Sequence, residues 1–216
     1  MTNVRSREEC IGAIQNDSAW RKKEISWLSS LLDNRSPQEE EPLRRSTMLM
    51  IYAHWEGFVK QASELYFLHV NEVISRTSAP LNSHLNDVRM WKLFRQQGEH
   101  LFLKNALPFL EMRQNWPCDP QELLPLEAVD TASNLNSYIL KRICVAAGVS
   151  FSKFETKENL IDKHLLKARN AIAHGEKYKV NYTDLIDAQS GVLQLISDFQ
   201  DLIEDQVSGK LYLAEA

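Results

Sequence analysis

Between Lys167 and Glu176 the chain reads Lys-Ala-Arg-Asn-Ala-Ile-Ala-His-Gly-Glu, which gathers an arginine, an asparagine and a histidine around one predicted helix terminus. An imidazole exchanges a proton near neutral pH, and a guanidinium stabilises charge developing on a phosphate. Together they supply what cleavage of RNA needs when no metal ion takes part. Arg169 and His174 are five residues apart, so a helix sets them about 140° apart around its axis and roughly 7.5 Å along it. Asn170 and His174, four apart, share a face. Lys163 and Lys167 add a basic strip beside the apolar one of Ile161, Leu165, Ala168 and Ile172. Gly175 is placed to stop the helix directly after His174.

The bare Arg-x-x-x-x-His spacing is cheap, and Arg95 to His100 repeats it. That copy carries Gly98, lacks apolar spacers and has Gln96 where the first has Asn170, so it is set aside. His54 and His69 are too far apart along a helix to share a metal. Cys10, Cys118 and Cys144 are widely separated, odd in number and in no metal-like pairing, which fits a reducing cytoplasm and no disulfide framework. No metal site and no cofactor are expected.

What distinguishes the Arg169 copy is its context. The pattern Leu165-Leu166-x-x-Arg169-Asn170-x-Ile172-Ala173-His174-Gly175-Glu176 resembles the signature of ribonucleases of the HEPN superfamily. Upstream, Tyr52-Ala53-His54-Trp55-Glu56-Gly57-Phe58-Val59-Lys60 resembles an early helix of the HEPN branch found in prokaryotic toxin and defence loci. The stretch from about Pro80 to Pro125 carries no mark of the family.

The resemblance implies a metal-independent endoribonuclease acting as a toxin or anti-phage effector, leaving 2′,3′-cyclic phosphate and 5′-hydroxyl ends. His174 would be the acid or base, Arg169 the stabiliser of the phosphorane, and Asn170 an orienting group for the histidine or a donor to phosphate oxygen. It further implies a homodimer that sets two motif helices against one cleft and so supplies both an acid and a base. Glu56 is the candidate supporting acid, paired with Arg169. Lys163, Lys167, Lys177 and Lys179 are the candidate contacts to the RNA backbone. The alternative is a non-catalytic HEPN module that binds a nucleotide or serves as a dimerisation adaptor. Toxins of this superfamily that pair with a minimal nucleotidyltransferase often carry a tyrosine two residues after the histidine. Glu176 stands there in this chain and the nearest tyrosine is Tyr178, so a cognate antitoxin and another defence-system protein both stay open as partners.

The elements that must position these groups read as helices. A chain of 216 residues with 44% apolar content can bury one core, and only 7 Gly and 7 Pro argue against a turn-rich β fold. Periodicity predicts helices over about 6–33, 43–74, 82–104 (one or two) and 133–147, then one capped by Thr156 that ends at Gly175, and a last one capped by Asn181. Residues 34–42 are expected as a solvated turn, and 105–125 as irregular chain within an insertion at about 80–125. Trp20, Trp27, Trp55 and Trp91 are expected to be packing residues. The expectation is one domain over 1–216, an all-α helical bundle of about five principal helices with a partly irregular insertion. A net charge of −4 excludes a generic nucleic-acid coat and leaves any RNA contact to a local basic patch. With no signal-peptide core and no apolar run of membrane-spanning length, the chain is expected to be soluble and cytoplasmic, with no membrane contact.

Overall fold

Met48, Ile51, Trp55, Phe58, Ala62 and Leu65 recur at helical spacing and are all buried, which makes their helix the centre of the molecule. In the computed structural model, which describes residues 4–31, 36–96 and 123–214, this helix is α2, Pro37–Thr77. It packs against α1, Arg7–Ser30, and against the last helix, Tyr182–Ser208, which is α6 in chain order. From α1 come Cys10, Ile14 and Ile25; from α6 come Leu185, Val192, Ile196, Phe199 and Ile203, all buried. Trp55, Phe58, Phe154 and Phe199 form a ring cluster with centroid separations of 6.3 to 6.4 Å. Contacts of this kind contribute about 0.5–1.5 kcal/mol each beyond the area they bury. Among the described residues the architecture is an all-α bundle, with one isolated bridge from Leu81 to Leu213.

The second layer consists of α3, Ser83–Gln96, and α4, Ser137–Ala147. Leu81 and Leu85 are buried with the common core, while residues 97–122 lie outside the described ones, as does the expectation of irregular chain there. The helix expected from residue 133 begins at Ser137 instead. The Asn136 side chain accepts the Ile139 N–H at 2.7 Å, and Ala132 and Ser133, just before it, adopt left-handed φ values of 55° and 53° that no helix allows. Gly148, at φ 72°, ends α4 as its position suggested.

Three other expectations are corrected. The turn at 34–42 is shorter, because α2 starts at Pro37 and contains Pro42. Pro37 suits the first helical position and the Ser36 carbonyl accepts the Glu40 N–H at 3.0 Å, whereas Pro42, the sixth residue, forgoes one hydrogen bond of the second turn. Thr156 does not cap the motif helix: it lies within a 3₁₀ turn, Ser152–Lys157, that leads into a π-helix, Leu160–Leu166, and then into α5, Lys167–Ala173. The wide π turn fits against Gly191 of α6, where a β-carbon would collide with the Leu160 side chain. It also carries Asp162 onto the start of α4, where its carboxylate accepts the Ser137 N–H at 2.7 Å. Trp20 and Trp27 are exposed at 47% and 68%, Trp20 keeping only an edge contact with His54 of α2; only Trp55 is buried as expected, and the Trp91 side chain is outside the description.

Among the described residues no helix is long and apolar enough to cross a membrane. Cys10 and Cys144 are free and buried, and burial pushes both thiols up to about 12. A raised pKa means the folded state holds a proton that the unfolded chain releases. The stability these thiols contribute is therefore intact below about pH 8.5 and lost as pH climbs toward the folded value. With Cys118→Ser removing the third thiol, an aromatic disulfide reagent at pH 8 should label neither cysteine until denaturant unfolds the protein, and Tm should fall progressively above about pH 9.

Candidate functional site

Tyr52 and Glu56 are one turn apart on α2, and with Arg45, seven residues before Tyr52, they form a row on the face turned toward α5. The two helices run in opposite directions. Arg45 Nη2 donates to the Glu176 carbonyl at 2.7 Å, just past the end of α5, whereas Tyr52 lies under Arg169 near its start. Arg44 Nε donates to the Val180 carbonyl at 2.9 Å and fixes the loop between α5 and α6.

The end of α5 is closed by a paired hydrogen-bond pattern. The Glu176 N–H donates to the Ala171 carbonyl at 2.9 Å and the Gly175 N–H to the Ile172 carbonyl at 3.0 Å, with Gly175 at φ 78°. These are the two bonds of a Schellman stop, which needs a residue free of a β-carbon at the left-handed position. His174 is thereby held on the last turn with its imidazole exposed, and among the described residues its ring has no hydrogen-bond partner.

Arg169 is half-buried and held by neutral groups. Its Nη1 donates to Asn170 Oδ1 at 2.7 Å, its Nη2 to the Ser133 carbonyl at 3.2 Å, and its guanidinium carbon lies 5.5 Å from the centre of the Tyr52 ring. Asn170 Nδ2 reaches Asn134 Oδ1 at 3.4 Å. Asn170 thus holds the arginine and not the histidine, the first of the two roles expected of it, because its amide oxygen is taken by Nη1. The expected ion pair between Glu56 and Arg169 is absent too. Thr131 Oγ1 donates to Glu56 Oε1 at 3.0 Å, and the left-handed turn at 132–133 aims a carbonyl at the arginine in place of the carboxylate. Burial, and after it the nearby Glu56 carboxylate, hold the Tyr52 phenol above its usual range, while Arg169 pulls it down. Tyr52 stays neutral and serves as a platform.

Lys163, Lys167, Lys177 and Lys179 are all exposed, and among the described residues none is in an ion pair. His54 is buried, with its ring against Trp20 at 5.2 Å and Nε2 3.1 Å from the Glu24 carboxylate; His69 is also buried. Among the described residues no three His, Cys, Asp or Glu side chains gather where they would hold a metal. The Arg95 to His100 copy ends outside the described residues.

The RiboL-PSP-HEPN family model matches residues 16–205, which span both the Tyr52–Lys60 turn and the Arg169–His174 helix end. The chain belongs to this HEPN family. No curated protein and no solved structure matches it. An HEPN domain is all-α, in agreement with the fold, and the family points to a ribonuclease or nucleotide-binding role. Within this HEPN domain, Thr131, Ser133 and Asn134 are site residues that sequence reasoning missed. Their signal is the run Asp130-Thr131-Ala132-Ser133-Asn134, a turn composition of which the expected helix takes in only Ser133 and Asn134. Tyr178 is half-buried and packed on the core, whereas Glu176 is exposed. Gly175→Ala should cost about 1–2 kcal/mol in chemical denaturation, because the left-handed stop tolerates a β-carbon poorly.

Proposed function

We propose that this HEPN protein is a metal-independent endoribonuclease, a toxin or anti-phage effector restrained by a cognate antitoxin or defence-system partner in the cytoplasm. The observation that carries the reading is the state of Arg169. Three neutral neighbours hold it and no carboxylate neutralises it among the described residues, on the same short helix that ends in an exposed His174. A structural arginine is commonly matched by an acid, as Arg21 is by Asp17 and Arg44 by Glu40. A guanidinium fixed by neutral groups keeps its full charge for an anion.

One His174 removes the proton from a ribose 2′-hydroxyl as its oxygen bonds to phosphorus, Arg169 stabilises the phosphorane, and the bond to the 5′-oxygen breaks. A second His174 gives its proton to that oxygen, leaving a 2′,3′-cyclic phosphate and a 5′-hydroxyl. One chain offers one such histidine, so the cleft is shared by two copies of the HEPN domain. Tyr182 and Ile186, one turn apart and exposed where α6 leaves the motif loop, support an apolar contact beside that cleft. Glu56 acts through Tyr52 and the 131–134 turn, and Asn170 fixes the Arg169 fork. Lys163, Lys167, Lys177 and Lys179 attract the RNA backbone.

Purified protein should cleave single-stranded RNA equally well with and without EDTA and leave cyclic phosphate ends. His174→Ala and Arg169→Ala should each lower the rate by at least about 10²-fold while Tm stays within about 2 °C. Equal behaviour of all three proteins in growth inhibition and cleavage would remove the enzyme and leave the non-catalytic reading, and a monomer at working concentration would remove the shared cleft. Glu56→Gln should slow cleavage about tenfold or less, and an unchanged rate would retire its role.

A further inference from the structure

Two consecutive arginines on α2 face the loop after His174, and they are held differently. Arg44 is neutralised by Glu40 at 2.6 Å and donates to the Val180 carbonyl at 2.9 Å. Arg45 donates through Nη2 to the Glu176 carbonyl at 2.7 Å and, among the described residues, has no carboxylate within ion-pair distance. Its Nε is buried without a hydrogen-bond partner. One arginine is consumed by structure; its neighbour, held two residues beyond the histidine, keeps a charge that no acid cancels among the described residues. Arg45 and Arg169 thus share one arrangement, in which a backbone carbonyl holds one edge of the fork and no acid cancels it.

We infer that Arg45 is a second phosphate-binding residue of the HEPN cleft, and that the site therefore takes a single strand of RNA along α2 in preference to one nucleotide. This rests on the ribonuclease reading above. The seven residues from Arg45 to Tyr52 span about 10.5 Å of helix axis. Because α5 runs antiparallel to α2, Arg169 lies over Tyr52 at one end of that span and Glu176 over Arg45 at the other, with His174 between them in the chain. Cations at the two ends of such a span suit two phosphates about two linkages apart on one strand, with the scissile one at Arg169. The sequence did not advertise Arg45, because an arginine in the Leu43-Arg44-Arg45-Ser46 run of an early helix has no motif around it.

The test uses the His174→Ala full chain, so that bound RNA stays intact, with a fluorescent single-stranded oligoribonucleotide and, separately, adenosine 5′-monophosphate as probes. Adding Arg45→Gln should weaken oligonucleotide binding about tenfold at 0.1 M salt. It should also lower the slope of log affinity against log salt by about 0.7 for each Arg45 in contact. Arg45→Lys should recover most of the loss, and monophosphate binding should change less than twofold. A purely structural role in pinning the loop would lower Tm and leave the salt slope unchanged; that result, or oligonucleotide affinity indifferent to Arg45→Gln, overturns the inference while the ribonuclease reading stands. Failure of the His174→Ala chain itself to bind RNA overturns both.

Discussion

One turn of α2 serves the core and the site at once, and most of the structure follows from that. Trp55 is fully buried in the ring cluster with Phe154 and Phe199, so its rotation about the helix axis is fixed by packing. Tyr52 and Glu56 flank it on the same turn and inherit that fixity. Phe154, which completes the ring cluster, leads into the helical run that ends in Arg169 and His174. The hydrophobic contact that stabilises the bundle therefore also sets the distance between Tyr52 and Arg169. Truncating Trp55 to alanine would cost about 3–5 kcal/mol and would loosen the site with the core.

The second organising feature is the electrostatic restraint placed on Arg169. An aromatic face, an amide oxygen and a backbone carbonyl fix the guanidinium without cancelling its charge. The nearest acidic candidate, Glu56, is engaged by Thr131. The 131–134 turn that achieves this contains two non-glycine residues in left-handed conformation, each costing about 1–2 kcal/mol. Strain of this kind persists where surrounding bonds overdetermine it, here the Thr131–Glu56 and Ser133–Arg169 contacts. In the proposed cleavage, an arginine preorganised in this way would need no reorganisation as the phosphorane forms.

Much of this was legible in the residues. The core stripes of α2 and α6 were read from periodicity alone, since burial of an apolar face dictates that spacing. Gly148 and Gly175 both stop helices where their positions suggested, because a left-handed stop excludes most other residues. Thr156 and the Trp20–Trp27 pair were misread for one shared reason. A cap signal or an aromatic side chain reports only local preference, while the partner that realises it comes from elsewhere in the fold. Phe154 is drawn onto Trp55, so the chain begins winding before Thr156, and α1 presents Ile14 and Ile25 to the core, leaving Trp27 outside and Trp20 only an edge contact with His54.

By itself, the sequence determined the fold class, the helix stop after His174 and the grouping of arginine, asparagine and histidine at one helix end, because each depends on spacing within a few turns. The tertiary structure alone decided what those groups touch. It gave Asn170 to Arg169, put Thr131 between Glu56 and its expected partner, inserted a π turn against Gly191, and brought Arg45 to the carbonyl beyond the histidine. Apart from the contact between the neighbours Arg169 and Asn170, these join residues far apart in the chain, and such contacts follow from how helices pack and leave no periodic trace in any one segment.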